Sequence, residues 1–214
     1  MAALSGVRKG HVLVAAAVCC LMSVTAARAD TLSGKALVDA LQKGGYVLVM
    51  RHASSPMQTP TAETADAENF RLERQLDEQG RATATAMGKA IRALHIPIVD
   101  VISSPTYRAR QTALLAGFGE AMTFRELGEG KKGMQAKAEK KKITWLRKRT
   151  EELPPKGTDT LVVTHTPNIV SAFGEDAAGI ASGETLIFKP DGKGKTVFVG
   201  RIKIETWPQL AATE

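Results

Sequence analysis

The sequence predicts an α/β fold, a three-layer sandwich with a mostly parallel central sheet, helices on both faces and a C-terminal β-hairpin at the sheet edge. Two observations carry this. From Ser33 onward, short apolar runs alternate with segments of helical periodicity, the pattern of parallel strands joined by crossover helices. The alternation then gives way to two extended runs flanking Lys189-Pro190-Asp191-Gly192-Lys193-Gly194, a turn signal between antiparallel strands.

Ser33 opens a helix with Leu37, Val38 and Leu41 on its apolar side, and Gly44-Gly45 closes it. Tyr46 to Arg51 is a short, mostly apolar run that ends on Arg51-His52, bounded by glycines and by Ser54, Ser55 and Pro56, and is read as a strand buried on both faces. Residues 53 to 75 lack periodicity and are rich in Ser, Thr, Pro, Ala and Glu, which marks a loop with at most one helical turn. A loop of that length beside a strand end is more often functional than idle.

Asp77 caps a helix through Ala82, Ala86, Met87, Ala90, Ile91 and Leu94, stopped before Pro97. Ile98 to Ser103 is a second buried strand, Pro105 to Phe118 a helix, and Ala121 to Leu127 a third strand broken by Gly128 and Gly130. A long basic helix covers 131 to 152, with Met134, Ala138, Trp145, Leu146 and Leu153 as a rough apolar stripe, and Pro154-Pro155 terminates it. Thr160 to Thr164 is a fourth strand running into His165, followed by a short helix with Pro167 in its first turn. Thr185 to Phe188 and Thr196 to Ile204 form the hairpin.

Residues 1–29 have the pattern of a secretory signal peptide. Arg8 and Lys9 precede an apolar run from Val12 to Val24, and Ala27-Arg28-Ala29 supplies a small-x-small cleavage site after Ala29. The run is short for a membrane span, so a periplasmic or secreted protein with no stable membrane anchor after cleavage is expected. Cys19 and Cys20 both fall in this leader. Residues 30–214 therefore have no disulfide or thiolate metal ligand, and are expected to form a single domain large enough for an ordinary core. Losing Arg8, Lys9 and Arg28 lowers the net charge from +7 to +4, which suits an anionic substrate and is too weak to indicate nucleic acid.

Three predicted strand ends carry reactive side chains: Arg51-His52, Ser103-Ser104 with Arg108 one helical turn later, and His165. Parallel strands deliver their carboxyl ends to one crevice. Two arginines and two histidines gathered there are costly unless an anion pairs them. A phosphate would do so, because guanidinium forks match its oxygens and helix N-termini add N–H donors.

The runs Val47-Leu48-Val49-Met50-Arg51-His52-Ala53, Leu76-Asp77-Glu78-Gln79-Gly80-Arg81, Ser103-Ser104-Pro105-Thr106-Tyr107-Arg108-Ala109-Arg110-Gln111-Thr112 and Val162-Val163-Thr164-His165 resemble, in order, the motifs of the histidine phosphatase (phosphoglycerate-mutase-like) superfamily. The resemblance spans about residues 46 to 170. It implies a metal-independent phosphoric monoester hydrolase without cofactor. His52 would accept the phosphoryl group, while Arg51, Arg108 and His165 hold it. The family's usual glycine after the histidine is Ala53 here, which requires ordinary φ at that position. The family also implies a glutamate as general acid after the third strand. Glu129 in Leu127-Gly128-Glu129 fits best, with Glu126, and Glu63 or Asp66 of the 53 to 75 loop, as alternatives.

The expected function is thus an exported phosphatase acting on a small phosphorylated or polyanionic substrate through a phosphohistidine on His52. Two rivals stand beside it: a protein phosphohistidine phosphatase, and a binder of phosphate or glycan phosphate that lacks turnover. His95 is read as a surface residue, Tyr107 and Trp145 as packing residues. The basic run from Lys131 to Arg149 is read as a solvated helix face, with guidance of polyanions as the sharper alternative.

Overall fold

The computed structural model describes residues 1–2, 31–130 and 135–213. The leader's charged and apolar stretch lies outside the described residues, as do Lys131, Lys132 and Met134. Six strands form one sheet in the order β3-β2-β4-β1-β5-β6. They are β1 (Val47–Arg51), β2 (Ile98–Ser103), β3 (Met122–Thr123), β4 (Asp159–Thr164), β5 (Thr185–Pro190) and β6 (Thr196–Ile202). The first four run parallel; β5 lies antiparallel to β1 and forms the edge hairpin with β6.

The alternation of β1 divides the molecule into two cores. Leu48 and Met50 point to one face, where α1 (Gly34–Leu41), α2 (Glu78–Ala93), α3 (Tyr107–Leu115) and α6 (Thr206–Ala211) bring Leu37, Ile91, Ala113 and Trp207. Val47 and Val49 point to the other face, against Leu146 of α4 (Ala136–Glu151) and Ile169 of α5 (Thr166–Phe173). This is why the strand reads as a solid apolar run: neither face meets water. Each of the buried Leu, Ile, Val and Met side chains among these contributes about 1.5–3 kcal/mol. Helices therefore cover both faces of a mostly parallel sheet, as the alternating pattern predicts.

The end of β1 is fixed to α2 by a close approach. Asp77 caps the helix by accepting from the Gly80 amide at 2.6 Å, and it also accepts from Ser54 Oγ at 2.6 Å. A Cβ on Gly80 would stand 2.1 Å from the Ser54 carbonyl oxygen. Only glycine lets the helix sit so near the loop that follows His52.

Three expectations need correction. The strand predicted over Ala121 to Leu127 is only two residues long. The chain then makes a 3-10 turn, Arg125–Leu127, that drops Leu127 into the core, where its carbonyl accepts from Thr164 Oγ1 and Asn168 Nδ2 at 2.8 Å each. The second strand is fully buried only in its second half: Val99 is 60% exposed, and Ile98 and Asp100 are half-buried. The chain also continues past the hairpin into α6, whose Trp207 is fully buried. Within the described residues the basic helix begins at Ala136. No helix among the described residues is long and apolar enough to cross a membrane.

Candidate active site

The sheet register brings the strand ends together. Arg51 lies opposite Thr164 on neighbouring strands, the His52 amide donates to the Thr164 carbonyl at 3.0 Å, and the Ser104 amide donates to the Val163 carbonyl at 2.9 Å. His52, Ser104 and His165 thus leave the sheet side by side. Arg108 arrives from the first turn of α3. Thr112 of the same helix donates its hydroxyl to the Arg108 carbonyl at 2.9 Å and accepts the Ala53 amide at 3.1 Å. Ala53 is fully buried, and Leu72 and His95 are the non-glycine residues with positive φ among the described residues. Alanine is accordingly compatible with the backbone at position 53.

The hydrogen bonds define both imidazole tautomers. His52 Nδ1 lies 2.7 Å from the Ala53 carbonyl, which can only accept, so Nδ1 carries the proton. His52 Nε2 is then a lone pair, and Arg108 Nε donates to it at 3.2 Å. His165 Nδ1 is 3.1 Å from Arg108 Nη2, which can only donate, so the proton of the neutral ring sits on Nε2. That Nε2 lies 2.9 Å from Ser104 Oγ and 3.3 Å from Thr106 Oγ1. The two rings meet edge to face with centroids 5.2 Å apart. A single guanidinium, 4% exposed, bridges both histidines.

Burial and positive charge act together on these rings. His52 is pushed down to about 4, chiefly by burial and then by the charges of Arg108, Arg51 and Arg74, against the opposing effect of its bond to Ala53. His165 is pushed much further below the usual histidine range, by burial first and then by Arg108, with His52, Arg74 and Lys142 adding. Both are neutral near pH 7. Burial also lowers Arg51, with Arg74 adding, and lowers Arg108 against the upward pull of Glu129. The result is a cationic site in which the His52 Nε2 lone pair is engaged by Arg108 alone. An arriving anion would raise the proton affinity of both rings.

Of the candidate carboxylates, Glu129 is at the pocket: it accepts from Arg108 Nη2 at 2.6 Å while remaining half-exposed. Glu126 pairs instead with Lys141 of α4 at 3.1 Å, and its carboxyl is lowered by its own backbone amide and by that lysine. Glu63 is fully exposed and is lowered by hydrogen bonds to Thr61 and to its own backbone. Asp66 accepts from the Tyr107 hydroxyl at 3.0 Å and from Gln111 Nε2 at 2.7 Å, which ties the 53 to 75 loop to α3. Arg51 is half-buried, donates from Nη1 to the Ile180 carbonyl at 3.0 Å, and has a buried Nε without a partner. Among the described residues no group of three His, Cys, Asp or Glu side chains is placed to hold a metal ion.

Sequence reasoning missed Arg74 and Lys142. Arg74 lies in the aperiodic loop, where nothing distinguishes it from its neighbour Arg71. Lys142 is one of a run of lysines. It is half-buried and donates to the Gly128 carbonyl at 2.5 Å, next to Glu129, whereas Lys140 and Lys141 face solvent. Helical phase alone separates them. His95 is exposed just past α2, and Trp145 is half-buried against Phe124 at 5.0 Å. Tyr107 does more than pack: its hydroxyl is pushed up to about 12 by burial and by its bond to Asp66.

An anion pocket of paired arginines and histidines at the carboxyl ends of parallel strands defines a phosphate-handling α/β protein. Residues 47–164 match the model of the histidine phosphatase superfamily, branch 1, more than half of the chain, and the protein belongs to that superfamily. Among curated proteins none matches. Among solved structures, the protein histidine phosphatase SixA in complex with tungstate is 20% identical, with a TM-score of 0.54 over 75% of this chain and 98% of its own. A phosphoserine phosphatase from Entamoeba histolytica, in complex with 3-phosphoglyceric acid, is 15% identical, with a TM-score of 0.50 over 73% and 95%. At these identities the likeness is one of fold.

Proposed function

We propose that this phosphatase hydrolyses a small phosphomonoester by way of a phosphohistidine on His52, outside the cytoplasm. One observation carries the mechanism: His52 presents an unprotonated Nε2 to the cationic pocket while its Nδ1 is held by the Ala53 carbonyl. When the dianion enters, Arg108 exchanges that lone pair and Glu129 for phosphate oxygens. Nε2 then attacks phosphorus, a P–N bond forms, and the P–O bond to the leaving group breaks. Arg51 and Arg108 balance the charge on the equatorial oxygens, joined by His165 once the anion has raised its proton affinity, without metal or cofactor. Glu129, released from Arg108 and taking up a proton from solvent as the dianion enters, protonates the leaving oxygen; its carboxylate then takes a proton from the water that cleaves the phosphohistidine, which restores the acid. The engagement of Glu126, Glu63 and Asp66 elsewhere supports this choice of acid. The leader at residues 1–29 supports export.

A second reading, removal of phosphate from a protein phosphohistidine, is favoured by the same Glu129–Arg108 pair. An acid already committed to an arginine suits a leaving imidazole better than an alkoxide. Hydrolysis of a chromogenic aryl phosphate by wild type and by His52→Ala tests the first reading, with a phosphohistidine peptide as the competing substrate. Turnover of the ester that vanishes in His52→Ala supports it. Turnover of the peptide alone selects the second reading, and binding of phosphate without turnover of either selects a binding protein.

A further inference from the structure

Arg74 lies between β1 and α2, outside the motifs that carry the family resemblance, yet the chain around it is pinned on both sides. Asn69 accepts from the Glu73 amide at 2.9 Å and donates to the Glu73 carbonyl at 2.6 Å. Gln75 accepts from the Asp66 amide and donates to the Thr64 carbonyl, each at 3.1 Å. The amide of buried Leu76 donates to Gln111 Oε1 at 3.1 Å. Glu73 also receives the Tyr107 amide at 2.8 Å, one residue before Arg108. The loop is thereby clamped to the helix that supplies the bridging guanidinium.

The Arg74 guanidinium itself is left nearly unpartnered. Nη2 reaches Ser55 Oγ only at 3.4 Å, Nη1 reaches the Met57 sulfur at 3.5 Å, and Nε is buried with no partner. Among the described residues no carboxylate pairs with it. A buried polar group left this way is costly, and such an exception in a well-satisfied structure calls for a missing partner. Ser55 lies three residues beyond His52, and the charge of Arg74 acts on Arg51, His52, Arg108 and His165. Around the pocket, Arg51, Arg74, Arg108 and Lys142 are positive, and Glu73 and Glu129 are negative.

We infer that Arg74 is the third guanidinium of the phosphate site, contacting the phosphoryl oxygens alongside Arg51 and Arg108; this rests on the phosphate pocket of the proposed function. Arg74 is then a substrate-binding residue, delivered by the loop rather than by the sheet. Its Nε and one Nη form a fork that suits two oxygens of one phosphate.

Calorimetric binding of inorganic phosphate to the full chain tests this without turnover. Arg74→Gln should weaken phosphate affinity by at least about tenfold, and Arg74→Lys should recover part of the loss. Removing the charge should also move the titration midpoint of the His52 imidazole, followed by NMR, to higher pH, a change that a merely structural role would not produce. Should Arg74→Gln fail to fold, Arg74→Met keeps the stem beside Met57 and answers the same question. Affinity within twofold of wild type and an unmoved His52 midpoint would overturn the assignment. A wild type that binds phosphate through Arg74 but hydrolyses nothing would overturn the phosphatase mechanism alone. A wild type that binds no phosphate at all would overturn both.

Discussion

The two ends of β4 each bury one titratable side chain, and they do opposite things with it. At the carboxyl end His165 sits between Arg108 and the hydroxyls of Ser104 and Thr106, with every ring nitrogen engaged. At the amino end Asp159 is fully buried; its Oδ1 accepts the Tyr46 amide at 2.8 Å, but its Oδ2 has no partner. Burial pushes the Asp159 carboxyl up to about 7, against the downward pull of that one hydrogen bond, while it pushes His165 far down. In both cases desolvation favours the neutral form. The difference is what surrounds the group. Beside His165 the arginines leave a positive field for an anion to fill; beside Asp159 the described residues offer no cation, and the cost of ionisation falls on stability.

This contrast breaks first on activity. His165→Ala should reduce turnover of an aryl phosphate by roughly 10²–10³-fold with little change in melting temperature, as expected for loss of one preorganised electrostatic partner. Asp159→Asn should leave turnover within about twofold of wild type, since the whole length of β4 separates it from the phosphate. Comparable losses in the two variants would show that the strand ends are not separable.

Glu129→Gln sharpens the chemical side. With an alkyl phosphate, whose leaving group needs a proton, the variant should lose about 10²-fold or more, within the range of general acid catalysis. With a nitrophenyl phosphate the loss should be several-fold. Equal losses on both substrates would make Glu129 a positioning residue for Arg108 and not the acid.

Stability against pH reads the same contrast with opposite signs. Asp159 binds a proton more tightly folded than unfolded, so its contribution is fully present below the ordinary aspartate range and is lost as pH rises towards about 7. His52 and His165 are held neutral in the fold, so stability falls as pH drops below about 6.5, the ordinary histidine value, and the unfolded chain takes up protons. Between about pH 4 and 6.5 the two ends of β4 oppose each other. Asp159→Asn should remove one slope, stabilise the protein at pH 8 by up to a few kcal/mol, and leave a plain acid destabilisation; chemical denaturation across pH measures both. Gly80→Ala is the smallest of these effects. Overpacking against the Ser54 carbonyl should cost about 1–3 kcal/mol and shift the loop after His52.

What the sequence revealed follows from where the determinants lie. The solid apolar run of β1 and its ending on Arg51-His52 are local, as are Ser103-Ser104 and Thr164-His165, so the sheet and its reactive edge were legible. The fate of Ala121 to Leu127 was not, because it is decided by Thr164 and Asn168 drawing the Leu127 carbonyl into a turn. Arg74 and Lys142 were illegible for a related reason: one sits in a loop shaped by side-chain clamps, the other is chosen from a lysine run by its rotation on α4. Choosing Glu129 over Glu126 likewise depends on which of the two a lysine of α4 has already engaged.

In the proposed reaction the lone pair of His52 becomes a bond to phosphorus. Mixing the enzyme with a ³²P-labelled aryl phosphate, quenching in alkali within one turnover and mapping the labelled peptide tests it directly. An acid-labile, alkali-stable label on His52, absent from His52→Ala, is the predicted result; a label that survives acid, or one that maps to another residue, would contradict it.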